Sequence, residues 1–447
     1  MSSPRRRGSS GNERLDSRFR GNDSNDISSM EQFDVIIVGA SFSGLTLGHH
    51  LPNNLRVLIL DRKTKVEMSI ETTGLVTQAT HDLLASFVDV DTYIPNKITT
   101  IGVISPSYDK YFFSHTDKPW IYSTDTPMLV KHMADTLPQH VELRLGAGLL
   151  SYEQKESSEY PIEMTYLHGG EKKQVQAKFL VGADGSHSTV AKLNSNLSKN
   201  KRFLAGFEKV FYGDITLGDH PENTIYHFWF GEFSIGYGGW LSPTIINGKK
   251  AFRLGLAKLE KDAKDLKKID QFIAILLEKK IIRIEGDPSK AILAFGHLIP
   301  IGGVLPNVTD KNILLIGDAA GFCGAFAADG IKGSVVSGKV AGELIPRYLG
   351  GEKAVLQEYH AKVQLYNKLM TYYKKQILYR FLWDRMRSDR SFHILFDLIA
   401  REKDSFLYQF CDSKDKHKSL MRVVLKLKNI PKLVQYTASL FLDLFKK

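Results

Sequence analysis

The chain has 447 residues, of which 43% are hydrophobic and 24% charged. This composition is typical of a packed globular protein, and the chain is too long for one hydrophobic core. Two cysteines, Cys323 and Cys411, exclude a disulfide framework, and without a His-Glu-x-x-His spacing we expect no metal site. The formal charge of +11 lies entirely in residues 361–447, which hold 19 Lys and Arg against 8 Asp and Glu. The hydropathy pattern predicts neither a membrane-spanning helix nor a signal peptide.

Residues 1–29 consist mainly of Arg, Ser, Gly, Asn and Asp, which have almost nothing to bury. This composition predicts a disordered tail, or an extension ahead of a start at Met30. The run of Arg5, Arg6 and Arg7 is typical of a targeting or nucleic-acid patch, but a solvated tail is the favoured interpretation.

The first ordered element predicted is a buried parallel strand, because residues 33–38 form an apolar, β-branched run. A glycine turn from Gly39 to Gly44 and a short helix follow, and a second strand ends at Asp61. In such a βαβ unit the helix N-terminus receives a pyrophosphate, and the acid 22 residues beyond Gly39 binds a ribose hydroxyl. Ser41 replaces the middle glycine of the fingerprint, and we interpret this small residue as a tolerated variant.

Two later segments also run from a buried strand into a turn of small residues. Residues 179–190 contain GADGSHS, and residues 312–321 end in GDAAG shortly before Asp329, Gly330 and Ile331. In this order and spacing, the three segments predict a dinucleotide-binding domain assembled from separated parts of the chain.

The three segments resemble the FAD-dependent geranylgeranyl reductase family, within the aromatic-hydroxylase-like flavoprotein superfamily. Residues 72–84, 94–113, 234–243 and 337–345 add to this resemblance. It implies an α/β fold, in which a Rossmann-like FAD-binding domain is joined to an antiparallel β-sheet substrate domain and a C-terminal helical region. The FAD contacts it implies are Gly39, Ala40, Ser41, Phe42, Ser43, Gly44, Asp61, Arg62, Thr72, Thr73, Leu149, Asp184, Gly185, Gly317, Asp318, Gly330 and Ile331.

The chain departs from the family pattern near the flavin. Thr126 occupies the position of a family arginine, so one charge contact to FAD is absent. The family's cysteine falls near Glu71 or Thr72, so a thiol-dependent step is lost, and Ala325 and Ala328 replace a proline and a glycine.

The predicted domains follow from these segments. They are a tail at 1–29, a discontinuous FAD-binding domain at 30–93, 125–200 and 291–350, a substrate domain at 94–124 and 201–290, and a basic helical region at 351–447.

The function that the resemblance implies is reduction of C=C bonds in a polyprenyl or other lipid, with hydride supplied by reduced FAD. Tyr237 and Trp240 are candidate walls of an apolar substrate tunnel or, equally, ordinary sheet aromatics, and no catalytic residue is named. The electron donor is expected to be NAD(P)H or ferredoxin. Alternatives are an NAD(P)H- and O₂-dependent monooxygenase of an aromatic or lipophilic substrate, and a non-catalytic lipid or membrane binder with a flavoprotein fold.

The C-terminal region predicts helices. Apolar residues recur every three or four positions from Leu356 to Phe381, which favours one helix face on a core. Residues 416–447 mix apolar and basic side chains, so we expect either packed amphipathic helices or, preferably, peripheral contact with an anionic membrane. The predicted location is cytoplasmic, peripheral on the inner face of the membrane, and no motif supports a nucleic-acid partner.

Overall fold

The architecture is that of a computed structural model, which describes residues 30–68, 72–156, 158–233, 236–260, 268–403 and 426–445. The predicted tail at 1–29, Glu71, Cys411 and much of the basic C-terminal segment therefore lie outside the described residues. The strands, in chain order, are β1 (Glu31–Val38), β2 (Val57–Asp61), β3 (Leu75–Thr77), β4 (Asn96–Ile98), β5 (Thr100–Ile104), β6 (Tyr111–His115), β7 (Ile121–Ser123), β8 (Val141–Leu145), β9 (Ala147–Gln154), β10 (Ile162–His168), β11 (Glu171–Gly182), β12 (Phe203–Ile215), β13 (Thr224–Phe228), β14 (Gly236–Ile246), β15 (Lys249–Leu259), β16 (Ile282–Ile284), β17 (Leu293–Pro300), β18 (Thr309–Asp310) and β19 (Ile313–Leu315).

Helices pack against both sheets and make up most of the described C-terminal region. They are α1 (Phe42–His50), α2 (Gln78–Ala85), α3 (Thr126–Asp135), α4 (Thr189–Lys192), α5 (Lys268–Glu278), α6 (Gly330–Leu349), α7 (Tyr359–Leu365), α8 (Leu369–Trp383), α9 (Asp389–Ala400) and α10 (Ile430–Asp443). None of the helices in the described residues is long and apolar enough to cross a membrane.

The first sheet has the strand order β18-β19-β11-β1-β2-β8, with β1 parallel to both of its neighbours. Its central strands carry the apolar runs expected of a sheet covered on both faces. Helices α1 and α6 pack closely because both carry small residues, and a Cβ added at Gly338 would lie 2.6 Å from the Ser43 carbonyl oxygen. This arrangement brings the N-terminal ends of α1 and α6 to the edge where the strands end.

The second sheet has the order β16-β12-β15-β14-β13-β5-β6, with β17 on β12, and is antiparallel except for the β13–β5 pair. One face packs against α5, where Phe228 meets Phe272 at 4.9 Å between ring centroids. The predicted α/β fold with an antiparallel substrate sheet is confirmed. Strand alternation sends Tyr226, Phe228 and Phe230 to the α5 side of this sheet.

One prediction for the C-terminal helices is wrong. The apolar repeat from Leu356 to Phe381 does not form one helix, because Asn367 and Lys368 adopt φ values of 52° and 54° between α7 and α8. The break rotates the buried face, so that α8 buries Tyr373, Gln376, Arg380 and Trp383. Phe381, expected in the core, is 50% exposed.

Candidate functional site

The turn after β1 requires its two glycines. Gly39 has φ +115°, and a Cβ there would lie 2.2 Å from the Ala183 carbonyl oxygen. A Cβ at Gly44 would lie 1.9 Å from the Gly39 carbonyl oxygen. The chain can therefore make this tight turn and pack α1 against the strands only with glycine at both positions.

The N-terminus of α1 is open to an anion. Ser41 occupies the N-cap position without a side-chain hydrogen bond to the helix, and the first turn contains no acidic residue. The first backbone N–H groups of a helix lack partners within it, and the helix dipole favours negative charge at this end. Phe42 and Ser43 are buried in the turn, and Ser43 lies against Gly317 of the GDAAG segment.

Asp61 ends β2 as predicted, and its carboxylate is already bound to the turn. Its Oδ2 accepts from the Ala40 N–H at 2.7 Å and its Oδ1 from the Lys63 N–H at 2.8 Å. Each oxygen keeps a second lone pair that a ribose hydroxyl could approach. Arg62 is exposed next to it, and Leu149 is half-buried on the neighbouring β9.

Asp184 has a local structural role. Its Oδ2 accepts from the N–H groups of Thr189 and Val190 at 2.6 and 3.1 Å, which caps the start of α4. Burial raises the pKa of this carboxyl group. Gly185, with φ +77°, turns the chain beside it, and the predicted FAD contacts of both residues stay predictions.

Asp318 lies in the GDAAG turn, directly after Gly317, whose φ is +58°. Burial raises the pKa of Asp318 to about 6, and no described residue donates a hydrogen bond to its carboxylate. A Cβ at Gly330 would lie 3.1 Å from Asp318 Oδ1, so the carboxylate lies at the start of α6, beside half-buried Ile331. A partly buried carboxylate without a hydrogen-bond donor among the described residues is a ready acceptor for ligand hydroxyls.

The loop before β3 links the two sheets. Thr73 Oγ1 donates to Glu208 Oε2 at 2.7 Å, and Thr72 Oγ1 accepts weakly from the Gly74 N–H at 3.4 Å. Gly74 has φ +71°, and a Cβ there would lie 1.9 Å from Thr126 Oγ1. Thr126 is thus a buried packing residue against this loop, and its match to the family's arginine position stays a prediction.

Tyr237 and Trp240 lie together on the face of the second sheet opposite α5. Their rings meet edge to face at 5.9 Å, and Tyr237 Oη donates to the Ala327 carbonyl oxygen at 3.2 Å. Both pack in one apolar cluster with the loop that follows the GDAAG turn. We call this the cavity cluster, and its members are Leu204, Tyr237, Trp240, Ala257, Leu259, Ile299, Ile301, Cys323, Ala325 and Ala328.

A buried charge pair beneath the cavity cluster escaped the sequence analysis. Glu208 and Arg253 have side chains that are 1% and 3% exposed, with 3.3 Å between Oε1 and Nη1. Glu208 also accepts from Trp240 Nε1 at 2.8 Å, so it joins the sheet to the Thr73 loop. Arg253 stands alone as a charge within the apolar run at 251–257, which was the available signal.

The loop of the cavity cluster is fixed by helix α8. Gln376, buried, accepts from the N–H groups of Phe326 and Ala327 at 3.0 and 2.8 Å and donates to Asp329 at 3.0 Å. Tyr373 Oη donates to the Asp329 carbonyl oxygen at 2.8 Å. The C-terminal region therefore completes the site, a role that its basic composition did not predict.

The residues present fit FAD. The Gly39 turn and the uncapped start of α1 suit a pyrophosphate, Asp61 suits a ribose, and unpaired Asp318 suits a ribityl chain. The structure brings these groups to one edge of the first sheet, facing the cavity cluster. The individual contacts of the predicted residues stay predictions.

Comparison with known proteins agrees with this assignment. Residues 32–207 match the family model described as an FAD binding domain. Digeranylgeranylglycerophospholipid reductase 3 from Methanosphaera stadtmanae is 24% identical over 426 residues, 89% of this chain and 96% of the relative. A digeranylgeranylglycerophospholipid reductase from Methanococcus aeolicus is 23% identical, covering 78% of this chain and 87% of its own.

Solved structures show the same fold. A geranylgeranyl bacteriochlorophyll reductase-like protein from Thermoplasma acidophilum superposes with a TM-score of 0.75 at 15% identity, covering 92% of this chain and all of the other. The p-nitrophenol 4-monooxygenase from Pseudomonas putida superposes with a TM-score of 0.63 at 15% identity, covering 86% of this chain and 98% of its own.

The match over residues 32–207 and the site define an FAD-dependent oxidoreductase, and its fold is shared with the reductase-like and monooxygenase structures. The predicted cofactor, FAD, is confirmed. The resemblance to geranylgeranyl reductases is also confirmed.

Proposed function

We propose that this protein reduces C=C bonds in a polyprenyl lipid. The observation that carries the proposal is that the side chains of the cavity cluster itself are apolar or uncharged at neutral pH, while the Glu208–Arg253 charge pair lies beneath it. Burial raises the pKa of Tyr237 to about 12 and raises that of the Cys323 thiol, so both stay protonated. Burial lowers the pKa of His227, which pairs across the strands with Trp240, to about 4, so it stays neutral. An uncharged wall suits an isoprenoid chain.

The residues of the chain bind, orient and shield the substrate. When bound, FAD supplies hydride to one alkene carbon, while a proton from solvent or an acid completes the other carbon. Tyr237 and Trp240 form the wall that holds the chain against the flavin edge, and the Thr73–Glu208–Trp240 hydrogen bonds fix the distance between that wall and the loop. The cluster excludes water, which protects the reduced cofactor from side reactions.

The lipid is expected to arrive from a membrane surface through α10. This helix packs Tyr436 and Leu440 on the protein and exposes several other apolar side chains, among them Val434 at 64% and Phe441 at 60%. A helix whose apolar face points outward is suited to lie in a lipid interface.

The described lysines near α10 contribute less charge to this contact than the composition suggested. Lys426 and Lys428 pair with Glu402 at 2.6 and 2.7 Å, and Lys432 pairs with Asp397 at 2.7 Å. Apolar insertion rather than net charge is therefore the main attraction in the proposal. The proposed location is the cytoplasmic face of the membrane.

The proposed electron donor is NAD(P)H or ferredoxin. Mixing the yellow holoprotein anaerobically with each donor, and following loss of flavin absorbance, distinguishes the two. The donor that reduces the flavin fast enough to support turnover is assigned as the electron donor.

Product analysis tests the proposed reaction. The reduced holoprotein is incubated under nitrogen with geranylgeranyl glycerophospholipid, and the lipid is examined by mass spectrometry. A gain of two hydrogens for each reduced bond supports the reductase. An oxygenated product formed only on admitting air assigns the monooxygenase instead, and a colourless protein that takes up no FAD assigns a non-catalytic binder.

A further inference from the structure

A cavity of about 680 Å³ borders the cavity cluster. Its floor contains Leu259 and Ile301, which belong to the cavity cluster, together with Phe203. Its walls carry the basic side chains Lys201, Arg202, Arg385 and Arg387, and we call it the cationic pocket. It is thus continuous with the proposed substrate site but differs from it in charge.

Ion pairs and helix α8 connect the cationic pocket to Tyr237. Arg202 Nη2 lies 3.1 Å from Asp384 Oδ2, and the same carboxylate holds the buried Arg380 at 2.6 Å. Arg380 lies one helical turn beyond Gln376, which accepts from the Ala327 N–H, and Tyr237 donates to the Ala327 carbonyl oxygen. The basic end of the site therefore lies near the wall that faces the flavin.

Most acidic side chains of the cationic pocket already form ion pairs or hydrogen bonds with other residues. Asp384 forms ion pairs with the guanidinium groups of Arg202 and Arg380. Asp443 Oδ2 accepts from the N–H groups of Arg387 and Ser388 and from Ser391 Oγ, at 3.0, 3.2 and 2.7 Å. The remaining carboxylate, Glu260, is exposed.

The cationic pocket retains donors for an anion. Lys201 has no hydrogen-bond or ion-pair partner among the described residues and is exposed at the rim. Arg385 stacks over the Phe381 ring at 3.2 Å and gives one N–H to the Phe381 carbonyl oxygen at 2.8 Å, out of five donors. A guanidinium held in this way matches the fork geometry that phosphate oxygens accept.

We propose that the cationic pocket binds the phosphate of the lipid headgroup while the isoprenoid chain enters the cavity cluster; this inference rests on the proposed function. The apolar floor favours a lipid over a dinucleotide, because Phe203, Leu259 and Ile301 offer no hydrogen bonds to a base or ribose. Leu444, just beyond α10, lines the same pocket and is 57% exposed, so the headgroup site lies beside the proposed membrane contact.

Binding measurements on the holoprotein test the pocket without turnover. The probes are geranylgeranyl phosphate and geranylgeraniol, which share one isoprenoid chain, and NADPH as a phosphate-bearing dinucleotide. The variants are Lys201→Glu with Arg385→Glu, and Lys172→Glu as a matched charge reversal on an exposed lysine of β11. We expect the double variant to bind geranylgeranyl phosphate at least tenfold more weakly, because two charge-assisted contacts are lost.

The expected result keeps geranylgeraniol affinity within about twofold in every variant, since the cavity cluster is unchanged. Equal loss for both isoprenoids, or no loss, would overturn the headgroup site, and selective loss of NADPH binding would assign the pocket to the electron donor. If the pocket binds the phosphate but reduced holoprotein leaves the lipid unsaturated, the reductase proposal fails alone. If the double variant reduces the phospholipid with unchanged kcat/KM, the pocket proposal fails alone.

Discussion

The first sheet and helix α10 distribute polar and apolar side chains in opposite ways. Strand β1 and its neighbours bury nearly all of their apolar residues and leave polar groups at one edge for a ligand. Helix α10 buries Ser439, whose Oγ lies 2.7 Å from Ser391 Oγ, and exposes Phe441. The first sheet therefore holds its polar groups for a cofactor inside the protein, whereas α10 presents apolar side chains at the protein surface.

The largest effect is expected at the glycine turn of the first sheet. Gly44→Val would place a Cβ 1.9 Å from the Gly39 carbonyl oxygen, so we expect complete loss of FAD binding, measured as loss of flavin absorbance in the purified protein. Gly248→Asn, at a hairpin tip with φ +74° and open space around it, is the control that should stay yellow. A yellow Gly44→Val protein would contradict the proposed phosphate site.

A smaller effect is expected at the buried pair that joins the two sheets. Glu208→Gln leaves Arg253 as an uncompensated buried charge, so the unfolding free energy should fall by about 3 kcal/mol in urea titration. Adding Arg253→Met should restore much of this loss, because the second charge is then removed as well. If the double variant were as unstable as the single one, the unpaired Arg253 charge would not be the cause of the lost stability.

The buried Asp318 carboxylate should lower the stability of the apoprotein and strengthen the binding of FAD. Its folded-state pKa of about 6 lies above the ordinary 3.8, so between these values the folded apoprotein binds more protons than the unfolded chain. The Asp318 contribution therefore lowers apoprotein stability as the pH rises from about 4 to about 6. Asp318→Asn should flatten this part of the Tm–pH curve and weaken FAD binding at least tenfold, since a charge-assisted hydrogen bond contributes about 1.5–3 kcal/mol.

The control for this experiment is Asp219→Asn, an exposed carboxylate with no resolved hydrogen bond among the described residues. It should change neither the Tm–pH curve nor FAD affinity. An unchanged FAD affinity in Asp318→Asn would remove this carboxylate from the cofactor site.

The smallest effect on the protein itself is expected at α10. Phe441→Glu should change the unfolding free energy by less than about 0.5 kcal/mol, because the side chain is 60% exposed. Binding to lipid vesicles should nevertheless weaken about tenfold, since inserting one phenyl group contributes about 1.5–3 kcal/mol. Leu150→Glu, an exposed apolar residue on β9, is the matched control, and equal vesicle binding by both variants would contradict the membrane contact.

The sequence predicted the cofactor end of the molecule well because its signals are local. A strand, a glycine turn and a helix within about 30 residues identify a phosphate site before any tertiary contact is known. Asp61 ends β2 and Asp318 lies in the turn just after β19, so local patterns were enough to name both, and their FAD contacts stay predictions.

The rest of the site depends on contacts between distant segments. Glu208 and Thr73 are 135 positions apart, and Gln376 is 50 positions from Phe326, so no local pattern relates them. The break at Asn367 also shifted which α8 residues are buried, so that Tyr373 of the apolar repeat stays buried while Phe381 is exposed. Periodicity identified helices here but not which of their faces meets the protein.

The most direct test of the central claim is the reoxidation of reduced flavin in the absence of oxygen. The holoprotein is reduced with one equivalent of dithionite under nitrogen and mixed with geranylgeranyl glycerophospholipid in a stopped-flow instrument. The account predicts that flavin absorbance returns with the lipid and not with its saturated counterpart. Flavin that stays reduced with both lipids until air is admitted would contradict the account.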